Sequence, residues 1–169
     1  MNAQLTDPYD VHVIPITVTA ESIDSNGALA ILYAASDELQ QRYGGGGDNA
    51  HLNVDELRPP LGLFLVARRE RHLVGGVGLR PICDPTLHYA EVKRLWVRPD
   101  LRREGIALTL MNEIETSARE LGNVTLFLET GPAQPEALSL YESTGWTEVV
   151  QYPPGAFSHP IAHRFKKDL

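Results

Sequence analysis

The chain has 169 residues, 43% of them hydrophobic and 22% charged, a balance typical of a globular protein, so we predict a single domain over residues 1–169. A formal net charge of −7 argues against a general nucleic-acid or membrane-surface binder. The single cysteine excludes an internal disulfide, and neither a leader-like start nor a membrane-length apolar run is evident. We therefore expect a cytoplasmic protein.

Hydrophobic patterning in the first half of the chain predicts four strands and one helix. In chain order these are a strand at Val11–Val18, a helix from Asp24–Asn26 to about Tyr43, a hairpin of Gly62–Arg69 with Leu73–Arg80, and a strand at Leu87–Val97. Four glycines at 44–47 end the helix and predict a mobile loop, either a linker or a lid beside a substrate site.

The second half predicts two helices and three strands around short turns. These are a helix running to Leu121, a buried strand at Val124–Thr130, a helix at Glu136–Ser143, and closing strands at Trp146–Tyr152 and about Ala162–Lys166. The strands on either side of the first of these helices would be parallel, because the helix forms a crossover between them. The order β-α-β-β-β-α-β-α-β-β predicts a mixed α/β sheet in one domain.

The stretch from Glu91 to Leu110 has the features of an anion site. A strand ends at Val97, a basic loop with one glycine follows, and a helix begins near Ile106. The first N–H groups of a helix have no partner within it, and the helix dipole favours negative charge there. Gly105 would let a ligand approach the backbone, while Arg98, Arg102 and Arg103 carry charge suited to a pyrophosphate.

The phosphate-binding patterns G-x-G-x-x-G and G-x-x-x-x-G-K-[ST] are both absent. Instead, R-x-x-G-x-A at Arg102–Ala107 follows a strand that ends in L-W-V, and about thirty residues later come Q-P-E-A at Gln134–Ala137 and L-Y-x-x-x-G-W at Leu140–Trp146. These two motifs, in this order, resemble motifs A and B of the GNAT superfamily of acyl-CoA-dependent N-acetyltransferases, particularly its small bacterial members. Gln134 and Ala107 stand where many members have Asn and Gly.

The resemblance implies a mixed, mostly antiparallel sheet with a central parallel pair that is splayed apart and flanked by helices. It also implies acetyl-CoA as donor, with its pyrophosphate on the backbone of Arg103–Ala107 and its pantetheine arm in the splay. The N–H near Leu95 would stabilise the oxyanion. The expected cofactor-binding residues are Leu95, Trp96, Val97, Arg102, Arg103, Glu104, Gly105, Ile106, Ala107 and Gln134.

Two catalytic roles follow from the same resemblance. Tyr141 is the motif B tyrosine, which protonates the departing CoA thiolate in many members; otherwise it is a core aromatic residue. Glu91 occupies the position of the base glutamate in the histone-type branch, and strand alternation would place it on the face of Leu95. Alternatively, Glu91 pairs with Lys93 or Arg94, and Glu129 on the adjacent strand is the second candidate for the base.

Other residues predict little chemistry. His159 and His163 flank Pro160, which argues against a helical metal pair, so we expect no metal. Cys83 lies in a turn with no evident base. The most consistent function is an N-acetyltransferase for a small-molecule or peptide amine. A non-catalytic acyl-CoA-binding module and an O-acyltransferase remain alternatives, and the sequence identifies neither the acceptor nor the oligomeric state, although the closing strands could pair in a homodimer.

Overall fold

The computed structural model describes residues 14–44, 52–82, 84–154, 156 and 158–169. These residues form a seven-stranded sheet with helices on both of its faces. The strands are β1 (Ile16–Glu21), β2 (Leu63–Arg69), β3 (His72–Pro81), β4 (Tyr89–Val97), β5 (Thr125–Thr130), β6 (Thr147–Glu148) and β7 (His163–Asp168), and the helices are α1 (Asn26–Tyr43), α2 (Ile106–Glu120) and α3 (Pro135–Ser143).

The order of strands across the sheet is β1-β2-β3-β4-β5-β7-β6. Every neighbouring pair is antiparallel except β4 and β5, which are parallel and are joined by the crossover helix α2. The predicted mixed, mostly antiparallel α/β sheet with a central parallel pair is therefore confirmed.

The parallel pair is splayed because its strands are bonded only at their beginnings. Tyr89–Glu91 pairs with Thr125–Phe127, and beyond Glu91 the two strands separate. In the same region β4 carries one extra residue relative to β3, and Arg94 adopts a φ of 57°. Such a bulge bends a strand and increases its twist, so the edge of β4 that faces β5 is left without a ladder partner.

The two faces of the sheet have separate hydrophobic cores. On one face, α2 buries Ile106, Leu110 and Ile114 in the main cluster, to which Tyr141 of α3 also belongs. On the other face, α1 packs Ile31 against Phe64. Helices α1 and α2 therefore cover opposite faces, and we refer below to the α1 side and the α2 side of the sheet.

Helix α1 has a local signal at each end. The Ser25 hydroxyl accepts a hydrogen bond from the Ala28 N–H (3.0 Å), and Gly44 ends the helix in a left-handed conformation with φ of 68°. The rest of the predicted glycine loop, residues 45–47, lies outside the described residues.

None of the helices in the described ranges is both long and apolar enough to cross a bilayer.

Two predicted strands differ from the structure. Residues 11–13 of the predicted first strand lie outside the described residues, and β1 begins only at Ile16, after Pro15. The predicted strand Trp146–Tyr152 is wrong in length, because only Thr147–Glu148 pair with β7. After this short strand the chain leaves the sheet edge, and the hydroxyl of Tyr152 donates a hydrogen bond to the buried Glu91.

Candidate active site

A cleft of ≈ 530 Å³ opens where β4 and β5 separate. It is lined from both faces of the sheet, by α2 and α3 on one side and by α1 and the β6–β7 connection on the other. All of the site residues predicted from the sequence line this cleft except Glu91 and Glu104. The residues that line it are Leu95, Trp96, Val97, Arg102, Arg103, Gly105, Ile106, Ala107, Gln134 and Tyr141. Motifs that are separated by about thirty residues thus meet in one cavity.

The N-terminus of α2 forms one end of the cleft. Gly105 is its N-cap residue with φ of 82°, and no side chain caps the first N–H groups of the helix. A Cβ atom at Gly105 would meet no atom within 4 Å. Arg103 is exposed and also has positive φ, 71°. A tight turn that leads to uncapped N–H groups and open space can hold an anion.

Arg102 connects this end of the cleft to α1. Its Nε donates to the carbonyl of Val97 (3.0 Å), and its guanidinium lies 2.5 Å from Glu38 Oε2. Glu38 also accepts hydrogen bonds from Trp96 Nε1 (2.9 Å) and from Arg42 (2.6 Å). Burial raises the pKa of Glu38, but the hydrogen bonds from the two arginines outweigh it and hold the pKa below its ordinary value.

Two side chains of the predicted anion site lie elsewhere. Glu104 is not in the wall of the cleft, and its carboxylate pairs with Arg69 at 2.7 Å. Arg98, which the sequence also suggested for a pyrophosphate, pairs with Asp100 at 2.8 Å and does not line the cleft. Arg103 lines the cleft and has no ion pair with any residue that the structure describes.

Tyr141 of α3 lines the cleft on the α2 side. Its ring is 6% exposed and packs against Trp146 and Phe165, with ring centroids 6.0 and 5.6 Å apart. Its hydroxyl makes no hydrogen bond to any residue that the structure describes. Burial raises the pKa of Tyr141, so the hydroxyl stays protonated at neutral pH.

Glu91 lies behind the wall of the cleft and is 1% exposed. Its Oε2 accepts from Arg80 Nε (2.7 Å), while its Oε1 accepts from the Tyr152 hydroxyl (2.8 Å) and lies 3.1 Å from Lys93 Nζ. The bulge in β4 breaks the alternation of side chains, so Leu95 packs with the main core on the α2 side and Glu91 lies on the α1 side. The expectation that they share a face is wrong.

Glu129 is the carboxylate that borders the cleft at the end of β5. Its strand neighbours Leu126 and Leu128 pack in the main core, so alternation places Glu129 on the α1 side. One carboxylate oxygen lies 3.5 Å from Lys93 Nζ, and the other accepts from the His159 backbone N–H at 3.1 Å. The site therefore includes a buried lysine–glutamate pair.

Sequence reasoning missed several residues of the cleft. Lys93 was considered only as a partner of Glu91, although their spacing of two along a strand would have placed both on one face. Glu38 was not considered, because its contacts with Trp96 and Arg102 join residues 58 and 64 positions apart.

Within the described residues no group of three or more His, Cys, Asp or Glu side chains could hold a metal ion. Cys83 lies outside the described residues.

The splayed parallel pair with an uncapped, glycine-led helix N-terminus at its end is the arrangement that the resemblance to the GNAT superfamily implies. The model of the acetyltransferase (GNAT) family matches residues 31–146, and the chain therefore belongs to this family. The resemblance predicted from the two motifs is confirmed.

Individual relatives agree with this assignment. The chain is 38% identical over 90 residues to N-acetyltransferase 8 of Homo sapiens and 37% identical over 100 residues to IAA acetyltransferase of Azospirillum brasilense. These alignments cover 52% and 59% of this chain but only 40% and 64% of the relatives. The PaiA N-acetyltransferase of Thermoplasma acidophilum, solved in complex with coenzyme A, shares the fold with a TM-score of 0.67 at 19% identity, over 92% of this chain and 99% of that one.

Proposed function

We propose that the protein transfers the acetyl group of acetyl-CoA to a primary amine of a small molecule or peptide. The observation that carries this proposal is the cleft that passes between the separated strands β4 and β5. It joins the α2 N-terminus and Tyr141 on one side of the sheet to Glu129 on the other. A donor and an acceptor that enter from opposite faces would meet between β4 and β5.

The donor fits the α2 side of the cleft. The pyrophosphate would lie on the N–H groups of the Arg103–Ala107 turn, with Arg103 beside it. The pantetheine amides would pair with the edge of β4 beyond Glu91, which the splay leaves without a ladder partner. Gln134 and Ala107 also line the cleft and would contact the donor there.

The transfer itself is a direct attack on the thioester. The lone pair of the neutral amine attacks the carbonyl carbon, and the oxyanion that forms is stabilised by the N–H near Leu95. Attack forms the C–N bond, and collapse of the tetrahedral intermediate restores the C=O bond and breaks the C–S bond. The amine proton passes to a carboxylate base, and the thiolate takes a proton from the Tyr141 hydroxyl, which solvent then restores.

For the base we propose Glu129 in preference to Glu91. Glu129 lines the cleft, whereas Glu91 lies behind its wall and makes close contacts with Arg80, Lys93 and Tyr152 (2.7–3.1 Å); the Lys93–Glu129 distance is longer, 3.5 Å. In this arrangement Glu91 has a supporting role, because it holds Lys93 beside Glu129. The role of Glu91 as base stays a prediction that the two glutamine variants described in the Discussion would test.

The experiment that tests the function is a thiol-release assay with acetyl-CoA and a panel of primary amines. Release of CoA that depends on the amine, together with formation of the N-acetyl product, is the expected result. Binding of acetyl-CoA without release would instead indicate the non-catalytic acyl-CoA-binding module. Product analysis with amino alcohols separates N- from O-acetylation.

Three further properties belong to this proposal. We propose a cytoplasmic, bacterial enzyme, on the basis of the single cysteine and the resemblance to small bacterial members. A homodimer through the closing strands stays a prediction, and light scattering that gave the mass of one chain would contradict it. We also expect no metal requirement, so activity should survive treatment with a chelator.

A further inference from the structure

The wall of the cleft on the α1 side carries information about the acceptor. This inference rests on the proposed function, because it assigns the α1 side to the amine that attacks acetyl-CoA. The residues that line this side come from α1, from the ends of β4 and β5, and from the β6–β7 connection.

Charge in the cleft does not favour a polycation, although the chain as a whole carries −7. Three carboxylates line the cleft among the described residues: Glu38, Glu129 and Glu136. Each of these carboxylates is already ion-paired: Glu38 with Arg102, Glu129 with Lys93, and Glu136 with Arg42. A second ammonium group on the acceptor would therefore have to compete with a protein cation for its carboxylate.

The same side of the cleft exposes apolar surface. Ile161, in the β6–β7 connection, is 62% exposed and lines the cleft, as does its neighbour Ala162. Leu39 contributes apolar surface from α1. A large aliphatic side chain that stays exposed at the mouth of a cavity loses its contact with water when an apolar ligand covers it.

From these two observations we infer that the acceptor is a primary monoamine carried on an uncharged, apolar body. The amino group reaches Glu129, where it loses its proton to the carboxylate as the C–N bond forms. The apolar body lies against Ile161 and Leu39, towards the mouth of the cleft. Polyamines and other polycationic amines are disfavoured, because their remaining charges would be desolvated among paired groups.

The test compares two acceptors of nearly equal shape. In n-hexylamine a terminal methyl group takes the place of the second ammonium group of cadaverine. We expect kcat/KM for hexylamine to exceed that for cadaverine by about tenfold or more, after correction for the two equivalent amines of cadaverine. Equal values, or a preference for cadaverine, would overturn the inference.

A pair of variants ties the preference to the proposed wall. Ile161→Asp places a charge at the mouth and should reduce the hexylamine-to-cadaverine ratio about tenfold. Val150→Asp is the matched control, since Val150 is 91% exposed in the same connection but does not line the cleft. Its ratio should equal that of the unmodified protein. A ratio that Ile161→Asp leaves unchanged would contradict this placement of the acceptor.

Calorimetric titration with acetyl-CoA on the same preparations separates this inference from the proposed function. If acetyl-CoA binds but neither amine is acetylated, or only cadaverine is, the acceptor class is wrong while donor binding stands. If acetyl-CoA does not bind to the unmodified protein, the proposed function fails and the acceptor class fails with it.

Discussion

The two sides of the cleft are built in different ways. On the α2 side, the features suited to the donor are mostly backbone: an unpaired strand edge, a turn with positive φ at Arg103 and Gly105, and uncapped N–H groups of α2. On the α1 side, the features are side chains from separate elements, notably Glu38, Lys93 and Glu129.

This difference determines what a sequence can reveal. Backbone geometry of a strand–turn–helix unit depends on a few adjacent residues, so Arg102–Ala107 is recognisable as a short motif. A wall of side chains depends on which distant elements the fold brings together, and a substitution there leaves no local signal. The following predictions test whether the two sides also separate in function.

The largest effect is expected from removal of the base on the α1 side. Glu129→Gln should lower kcat/KM by about 100-fold to 1000-fold and abolish the acid limb of its pH profile, because an amide cannot accept the proton. Acetyl-CoA affinity should remain unchanged, since Glu129 lies outside the Arg103–Ala107 turn. Steady-state kinetics across pH and calorimetry measure both quantities.

Glu91→Gln is the matched comparison. It should retain the acid limb, but it should lower the free energy of unfolding by about 3 kcal/mol, because it leaves Arg80 and Lys93 with one buried anion fewer. If instead Glu91→Gln loses the acid limb and Glu129→Gln keeps it, Glu91 is the base and our preference is wrong.

A somewhat smaller effect is expected at Tyr141. Tyr141→Phe should lower kcat by about 100-fold while the dissociation constant of acetyl-CoA stays the same, because only the proton to the leaving thiolate is lost. Burial raises the pKa of Tyr141, so its hydroxyl remains protonated as pH rises through neutral. Removal of the hydroxyl should therefore leave the basic limb of the pH profile unchanged below about pH 9. Tyr33→Phe, at a tyrosine that is 72% exposed, is the control and should change nothing. Unchanged kcat in Tyr141→Phe would make Tyr141 a core residue only.

The smallest effect concerns Glu38, which links the two sides through Arg102 and Trp96. The pKa of Glu38 is lowered in the folded protein. The ionised carboxylate therefore stabilises the fold above its ordinary pKa of ~4.3, and this stabilisation is lost as pH falls through the lower pKa of the folded state. Glu38→Gln should therefore lower Tm by about 2 °C at neutral pH and by nothing measurable in strong acid.

Thermal unfolding across pH checks this prediction. Asp37→Asn is the control, because Asp37 is exposed on the same helix and bonds only to Gln41 among the described residues. A difference for Glu38→Gln that persists unchanged at low pH would contradict an ionic role for this residue.

The outcome of sequence reasoning follows the same division. The order of elements along the chain, the parallel pair and the positions of Gly105 and Tyr141 in the wall of the cleft were predictable, since periodicity and two short motifs specify them. The face of Glu91 was not, because one bulge residue near Arg94 reverses the alternation on which the prediction relied. The partner of Glu104 was not either, since Arg69 lies 35 residues away on another strand. The single-domain prediction for residues 1–169 stays a prediction.

The most direct test of the account is calorimetric titration with acetyl-CoA of the unmodified protein, Gly105→Leu and Gly122→Leu. Both glycines have positive φ, 82° and 84°, and open space around a Cβ, so each leucine should cost a similar ~1–2 kcal/mol of stability. Only Gly105 lies at the α2 N-terminus, so we predict that Gly105→Leu alone weakens acetyl-CoA binding, by about 100-fold. Equal affinity in the two variants, or no binding by the unmodified protein, would contradict the placement of the donor at this turn.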